Sequence, residues 1–300
     1  MVRRTGRNVH GILLLNKPKG ISSNAALQRV KHLFQARKAG HTGSLDNLAT
    51  GLLPLCLGEA TKLSSFLLDA DKYYQAEFTL GAVTSTGDAE GEILQTRPVI
   101  DINRKTIDTV IRALTGEIQQ VPPMYSAIKH QGQALYKLAR QGKVVTRQAR
   151  TVMIHSFTVL DWVENRLSVK VHCSKGTYIR TLAEDIGEAL GCGAYVSALH
   201  RFGVGNYRDM LDFETLERYA QKGFEALDSL LMPMHTILEH WPEVCLTADL
   251  AYYVRQGQAV QIPKAPTSGW VKMFTDDARF LGIGEILDDG RIAPRRLINF

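Results

Sequence analysis

A β-hairpin followed directly by a helix is predicted for residues 152–193, which read VMIHSFTVLDWVENRLSVKVHCSKGTYIRTLAEDIGEALGCG. The arms are Val152 to Val163 and Leu167 to Cys173, and the second alternates apolar and polar residues, as a strand with one buried face does. The turn falls at Glu164-Asn165. Apolar residues then recur at four-residue spacing up to Gly191, which is typical of an amphipathic helix with a glycine after its last turn.

Strands and helices also mix in the first 120 residues, without the regular alternation of a βαβ fold. GILLLNK at residues 11–17 and the stretch from Tyr73 to Leu80 read as strands, whereas Ser22 or Ser23 caps a predicted helix and another ends before Gly116. Residues 121–143 are polar, basic and rich in glycine, so they read as an insertion with a short helix. The pattern predicts an α+β fold with a mixed, largely antiparallel sheet and flanking helices.

The last part of the chain has a different texture. From about Cys245, short β-like pieces alternate with clusters of Gly, Pro and Asp. We therefore predict two domains, residues 1–244 and a small β-rich unit at residues 245–300.

Several classes of protein are disfavoured by the sequence. The apolar run Ile12–Leu15 is too short for a signal peptide or a membrane span, so a cytoplasmic protein is expected. Neither a P-loop nor a GxGxxG motif occurs, and no nucleotide cofactor is expected. The four cysteines are scattered without the spacing of a zinc site or a disulfide framework, and they read as buried reduced thiols: Cys56, Cys173, Cys192 and Cys245.

Basic residues are concentrated in two segments with little or no acid. Residues 1–50 hold nine Lys or Arg and one carboxylate, Asp46, and no acid lies between Glu117 and Asp161. Clustered positive charge favours a polyanion, because phosphate binding releases counterions. Charge runs also occur on solvated faces, so at this point nucleic-acid binding stays open.

Asp46 is the isolated carboxylate of the stretch GHTGSLDNLATGLLPL, residues 40–55. The glycines and Pro54 predict a loop, on which functional residues are often displayed. Asp46 could merely form an Asx turn, or it could act as a nucleophile or base held ionised by a cation. Arg180, at the start of a predicted helix, is the candidate cation and could form a bidentate pair with it.

Aromatic residues supply a second requirement for chemistry on a nucleic-acid base. Extrusion of a base costs a few kcal/mol, and stacking on an aromatic ring returns about 1–3 kcal/mol. Tyr74 and Tyr178 are candidates for that ring, and His41 could fill the space that the base leaves.

Five blocks of this sequence, in order, resemble the TruB family of tRNA pseudouridine synthases. They are GILLLNKPKGISSN at residues 11–24, HTGSLDNLATGLLPLCLGEATK at 41–62, VPPMYSAIKHQGQALYKLARQG at 121–142, HCSKGTYIRTLAEDIGEALGCGA at 172–194 and GEILDDGRIAPRRL at 284–297. The resemblance implies the pseudouridine synthase fold with a central cleft, a PUA-like module at the C-terminus, and isomerisation of uridine 55 in the TΨC arm of tRNA. It implies no cofactor and no metal.

The resemblance also implies a role for each site residue. Asp46 is the catalytic aspartate and Arg180 its partner; Tyr74 stacks on the uracil and could help remove the C5 proton. His41 replaces the flipped nucleotide, and Tyr178 and Leu199 line the base pocket. The basic insertion at about residues 124–150 resembles a segment that closes over the RNA arm. RNA contacts are expected from seven basic residues: Lys17, Lys19, Lys129, Lys137, Arg140, Lys143 and Arg147.

Three positions depart from the family pattern. Asn47 stands where proline is common, Ser85 where an acid is common and His200 where arginine is usual. These departures put the rigidity of the loop and some RNA contacts in doubt, but they remove no group that the reaction needs.

Two other functions stay open. The chain could be a tRNA-binding or folding factor with secondary chemistry, or a hydrolase that uses Asp46 in a carboxylate pair. The second would need another acid about 5–10 Å away, and none is near Asp46 in the sequence. Whether Asp46 attacks C6, attacks C1′ or takes a ribose proton also stays open. We expect a monomer that binds the TΨC stem-loop of tRNA, with no membrane and no obligatory protein partner.

Overall fold

The structure is a computed structural model that describes residues 6–299. The α-helices of this part are α1 (Ser23–Leu33), α2 (Ser64–Asp69), α3 (Arg104–Ala113), α4 (Leu135–Ala139), α5 (Ile179–Ala189), α6 (Phe213–Ala220), α7 (Phe224–Asp228) and α8 (Ala248–Arg255). The strands are β1 (Gly11–Lys17), β2 (Ala39–His41), β3 (Thr50–Leu57), β4 (Lys72–Leu80), β5 (Ala82–Thr84), β6 (Ile93–Thr96), β7 (Gly116–Gln120), β8 (Lys129–His130), β9 (Gln133–Ala134), β10 (Arg150–Val163), β11 (Arg166–Cys173), β12 (Ala194–Val204), β13 (Glu243–Leu246), β14 (Gly269–Thr275), β15 (Phe280–Ile286) and β16 (Ile292–Leu297).

The main sheet has eight strands in the order β1-β3-β12-β4-β11-β10-β7, and β2 pairs with β3 beside this path. In this sheet only the short β12–β3 pairing is parallel. The predicted hairpin is present as β10 and β11 and turns at Glu164, which has a φ of 54°. The α+β prediction with a largely antiparallel sheet is therefore confirmed.

Helices cover one face of this sheet. The helix after the first strand is confirmed, and its N-cap is Ser22, whose hydroxyl accepts the backbone N–H of Ala25 at 3.1 Å. Apolar residues of α1, α3 and α5 form one buried cluster with the sheet. Because α5 buries Leu182 and Ile186 in this cluster, its first turn packs against the sheet shortly after β11.

The loop prediction for residues 40–55 is wrong at its C-terminal end, because Thr50–Leu57 is the buried strand β3. Gly51 has a φ of 101°, and a Cβ there would lie 2.3 Å from the carbonyl oxygen of Arg201, so only glycine admits the neighbouring strand. The carbonyl of Pro54 accepts the backbone N–H of Thr42 at 3.1 Å. On this side of β3, the neighbouring strand changes from β12 to β2 at Pro54. Because neither strand pairs with Pro54, its missing N–H removes no hydrogen bond between strands.

A second sheet, in the order β13-β14-β15-β16, lies in the C-terminal part. It has its own buried cluster, and its Phe280 and Ile283 also pack with Ile12 of β1. The expectation of only short β-pieces is wrong for residues 248–255, which form α8. The domain boundary and the PUA-like character of this unit stay predictions.

The cysteines follow the expectation except for one. Cys56, Cys173 and Cys192 are buried, and burial raises the pKa of the first two to about 12. Cys245 is exposed, which corrects the prediction, because the edge strand β13 alternates exposed and buried residues. Among residues 6–299, no helix is long and apolar enough to cross a lipid bilayer.

Candidate active site

A cleft of about 530 Å³ opens between the main sheet, the start of α5 and the insertion that contains α4. Its lining includes all six residues that the sequence analysis placed around a reacting base: His41, Asp46, Tyr74, Tyr178, Arg180 and Leu199. They come from the end of β2, from the loop between β2 and β3, from β4 and β12, and from the N-terminus of α5.

The loop that carries Asp46 is fixed on both sides. The buried Ser23 hydroxyl of α1 accepts the backbone N–H of Leu45 at 2.7 Å and donates to the carbonyl of the same residue at 2.9 Å. On the other side, the carbonyl of Asn47 accepts the backbone N–H of Gly20 at 2.8 Å. The loop is thus tied to its surroundings although Asn47 replaces a proline.

Arg180 binds Asp46 and two backbone carbonyls. Its Nε lies 3.0 Å from Asp46 Oδ2, while Nη1 donates to Thr86 O at 3.0 Å and Nη2 to Tyr125 O at 2.7 Å. The side chain of Arg180 is only 5% exposed. The expected bidentate pair is wrong, because both terminal nitrogens are used by the carbonyls, and this arrangement fixes the guanidinium in one orientation.

Burial raises the pKa of Asp46 above its ordinary value, the neighbouring Asp88 raises it further, and the guanidinium of Arg180 opposes the shift. The Asp46 side chain is still 42% exposed toward the cleft. Because a carboxylate with a raised pKa is a stronger base than a solvated one, Asp46 combines access with reactivity.

Asp88 is a second carboxylate that the sequence analysis missed. Its Oδ2 lies 3.8 Å from the same Arg180 Nε, so its distance from Asp46 Oδ2 is less than about 7 Å, an upper limit compatible with the separation of glycosidase carboxylate pairs. Its Oδ1 accepts the hydroxyl of Thr86 at 2.5 Å and the backbone N–H of Glu90 at 3.1 Å. Asp88 is therefore a buried acceptor with two hydrogen-bond donors and a nearby guanidinium, whereas a glycosidase needs one carboxyl as a proton donor.

Lys17 lies inside the protein and does not face the RNA side of the cleft. Its side chain is fully buried, and Nζ donates to the carbonyls of Pro18 at 2.9 Å and Ile21 at 2.8 Å. Burial lowers its pKa to about 8, which the charge of Asp46 opposes. The predicted RNA contact is wrong for this residue, because charge pattern cannot distinguish a buried lysine from an exposed one.

Tyr74 forms part of the cleft wall on β4, opposite Arg201 of β12. Burial raises the pKa of Tyr74, and a hydrogen bond from Arg201 opposes this shift. This direction disfavours the tyrosinate form of Tyr74. Arg201, which the sequence analysis also missed, is 1% exposed and donates from Nε to Leu52 O at 2.7 Å.

His41 and Tyr178 both line the cleft. Burial lowers the pKa of His41, which favours the neutral imidazole, and its buried Nδ1 has no hydrogen-bond partner within residues 6–299. Tyr178 is the N-cap residue of α5 and donates its backbone N–H to Gln120 Oε1 at 3.0 Å. Leu199 of β12 is 9% exposed and adds an apolar surface.

The remaining predicted RNA contacts lie at the surface. Lys19 is exposed, as are four residues of the insertion, Lys129, Lys137, Arg140 and Lys143; Arg147 is half-buried. Arg140 also lines the cleft and lies 5.6 Å from the ring of Tyr136. The insertion thus brings positive charge to the mouth of the cleft.

The other two departures have local partners. The Ser85 hydroxyl accepts the backbone N–H of Glu92 at 3.1 Å, and His200 Nδ1 shares a hydrogen bond of 2.8 Å with Thr50 Oγ1. Both are hydrogen bonds within the protein itself.

Comparisons with known proteins identify the family of this chain. A model of the TruB family pseudouridylate synthase N-terminal domain matches residues 31–179, and a tRNA pseudouridylate synthase B C-terminal domain matches residues 180–239. A third model, pseudouridine synthase II TruB, C-terminal, matches residues 242–298.

Individual proteins are similar over almost the whole chain. The tRNA pseudouridine synthase B of Nitrosococcus oceani is 60% identical over 298 residues, which cover 99% of this chain and 97% of that protein. The corresponding protein of Coxiella burnetii strain RSA 493 is 54% identical and covers 97% of this chain and 96% of its own length. Among solved structures, a Cbf5-Nop10-Gar1 complex matches with a TM-score of 0.73 and 25% identity, over 96% of this chain and 84% of that chain.

Proposed function

Because this chain belongs to the TruB family of pseudouridylate synthases, we propose that Asp46 starts the isomerisation of uridine 55 in the TΨC arm of tRNA. The chain is an enzyme that converts uridine in tRNA to pseudouridine. The observation that carries the assignment to Asp46 is its contact with the buried Arg180 at 3.0 Å in the cleft.

The reaction breaks the bond between N1 of uracil and C1′ of ribose, turns the base, and forms a bond between C5 and C1′. A proton leaves C5 and another is gained at N1, so the oxidation state is unchanged. Ionised Asp46 acts as the nucleophile or base of the cleavage, at C6, at C1′ or on a ribose proton. The fixed guanidinium of Arg180 keeps the carboxylate oriented, and the cleft walls hold the detached uracil for its rotation.

The residues of the cleft wall also offset the free energy that extrusion of the base from the RNA costs. Stacking on an aromatic ring is worth about 1–3 kcal/mol, which is similar to the unstacking cost. Tyr74 supplies that ring, while Tyr178 and Leu199 enclose the uracil. Neutral His41 occupies the position that the uridine leaves in the RNA.

Recognition of tRNA depends on the shape of its arm. An A-form stem hides its base edges in a deep groove, so a protein reads the backbone, the 2′-hydroxyls and the splayed loop bases. The basic insertion contacts the phosphates beside the cleft. We propose that the enzyme acts as a monomer with tRNA as its partner.

A hydrolase is less well supported by the site. Asp88 is a second carboxylate close to Asp46, but both of its oxygens face hydrogen-bond donors or Arg180, so it offers no proton to a leaving group. A tRNA-binding factor with secondary chemistry would not need a reactive carboxylate beside a buried arginine.

The test is an incubation of the purified enzyme with an unmodified tRNA transcript that carries tritium at C5 of its uracils. We expect stoichiometric release of one tritium per tRNA, and loss of that release when uridine 55 is replaced by cytidine. A transcript that binds but releases no tritium would reject the proposed function in favour of an RNA-binding role.

Salt dependence tests the proposed RNA contacts of the insertion. Each phosphate contact contributes about 0.7–0.9 to the slope of log K against log salt concentration. We expect the combined substitution of Lys129, Lys137 and Lys143 by glutamine to reduce that slope by about 2–3, measured by filter binding of tRNA.

The matched control replaces three exposed basic residues elsewhere, Lys105, Arg166 and Lys222, with glutamine. It changes the net charge equally. A control slope reduced as much as that of the first variant would show a general charge effect and would contradict a contact by the insertion.

A further inference from the structure

Two histidines converge on one aspartate oxygen outside the cleft. His155 Nε2 and His172 Nε2 each lie 3.2 Å from Asp71 Oδ2, and the three atoms are all within 4.8 Å of one another. We propose that Asp71, His155 and His172 bind a zinc ion that fastens β10 and β11 to the start of β4.

A β-bulge in β10 orients His155 toward Asp71. The register between β10 and β11 shifts between Ile154, which pairs with Cys173, and Ser156, which pairs with His172. His155 is the extra residue of the bulge, and such a residue leaves the regular alternation and redirects its side chain. His155 is next to Ser156, which pairs with His172. In a regular strand, neighbouring side chains point to opposite faces of the sheet, so without the bulge His155 and His172 would lie on opposite faces.

The other histidine is held in place by stacking. The His172 ring lies 4.1 Å from the ring of Tyr73, with an angle of 12° between the planes, and the guanidinium of Arg208 covers Tyr73 at 3.9 Å. A metal ligand whose ring is already ordered loses little conformational entropy when it binds.

The negative charge of Asp71 is not neutralised by a lysine or an arginine in the described part of the chain. Among residues 6–299, no lysine or arginine forms an ion pair with it, and the nearby Lys175 binds Asp69 at 2.9 Å instead. The carboxylate therefore remains available to a cation, with the imidazoles as its neighbours.

The distances and ligand types fit zinc. In a tetrahedral site with bonds of about 2.0–2.1 Å, neighbouring ligand atoms are about 3.3–3.4 Å apart. Each imidazole Nε2 lies 3.2 Å from Asp71 Oδ2, close to this value, and the two Nε2 atoms lie within 4.8 Å of one another. Two imidazole nitrogens and one carboxylate form a known zinc ligand set, and the partly exposed side chains leave the fourth position to water. On binding, both Nε2 atoms become unprotonated, so each neutral ring carries its proton on Nδ1.

The consequence is a metal crosslink beside the active site. Asp71 precedes β4 and lies three residues before Tyr74, which forms the cleft wall. The ion would stabilise this wall without touching the reacting base, and the inference does not depend on the proposed role of Asp46.

Zinc titration tests the inference. Enzyme freed of metal by chelator dialysis is titrated with Zn²⁺ against a chromophoric chelator, and with Co²⁺ to record the visible absorption of a tetrahedral site. All variants carry Cys245→Ser, since this exposed thiol could bind zinc by itself. We expect one Zn²⁺ per chain and an increase in the melting temperature with zinc.

The substitutions H155Q, H172Q and D71N should each weaken zinc binding at least tenfold and abolish the cobalt absorption. H32Q, at an exposed histidine of α1, is the matched control and should bind as the parent does. His155 is exposed, so H155Q leaves the fold intact and remains decisive if H172Q disturbs the stack with Tyr73. Absence of stoichiometric zinc binding, or equal affinity of H155Q and H32Q, would overturn the site.

Discussion

Substitution of Asp46 by asparagine is expected to lower the rate of pseudouridine formation at least about 10³-fold, the order of loss when a catalytic group is removed. Asparagine keeps the shape and the contact with Arg180 but has neither a negative charge nor a basic oxygen. The measurement is tritium release from tRNA in a single turnover. Affinity for tRNA should change little, because one short side chain at the cleft floor contributes little to the phosphate contacts.

The matched control is Asp108→Asn. Asp108 lies in an ion pair with Arg104 Nε at 3.0 Å and its side chain is 44% exposed, so the distance and the exposure of the carboxylate match those of Asp46, while its arginine lies at the surface. It lies on α3, away from the residues that line the cleft. Equal activity of D46N and D108N would disprove the catalytic role of Asp46.

The pH profile gives a second readout for Asp46. The ionised carboxylate is the active form, and its pKa is raised chiefly by burial. Activity should therefore be lost as the pH falls through a value above the ordinary pKa of aspartate, and it should recover as the pH rises. Loss of activity only at the pH where an exposed aspartate titrates would contradict the buried environment.

The order of strands and helices was largely readable, because local periodicity reports burial on one face. The hairpin of β10 and β11 and the helix α5 follow alternation and four-residue spacing along continuous segments. The strand β3 was not readable in this way. Its glycine and proline usually signal a loop, and only the neighbours on each side explain why they are tolerated in the middle of the sheet.

The sequence predicted individual residues of the site, but it did not predict which of them contact one another. Asp46 stood out because it was the one acid in a basic segment. Asp88 belongs to a polar turn with other acids nearby, and nothing in its local pattern shows that it reaches Arg180, 92 positions later. The same limit applies to Lys17, whose burial depends on packing between distant parts of the chain.

Substitution of Arg180 by methionine should destabilise the protein and reduce activity by at least about 100-fold, as loss of a positioned charge at an active site does. The free energy of unfolding should fall by about 3–5 kcal/mol, because Asp88 is left buried without its cation. The carbonyls of Thr86 and Tyr125 also lose their donors. Urea unfolding and single-turnover tritium release measure the two effects.

Arg97→Met is the control for the loss of an arginine in an ion pair. Arg97 Nη1 lies 2.9 Å from Glu188 at the surface, and such a pair contributes less than about 1 kcal/mol. If R180M lowers the free energy of unfolding no more than R97M does, the buried carboxylates do not need Arg180 for stability.

Removing the charge of Asp88 separates stability from catalysis. In an Asp88→Asn background, Arg180→Met no longer leaves a fully buried charge, so its cost in unfolding free energy should be smaller than in the parent. Activity should not recover, because Asp46 still lacks the guanidinium that orients it and opposes the rise of its pKa. Recovery of both stability and activity in the double variant would mean that Arg180 serves Asp88 and that Asp46 acts without it.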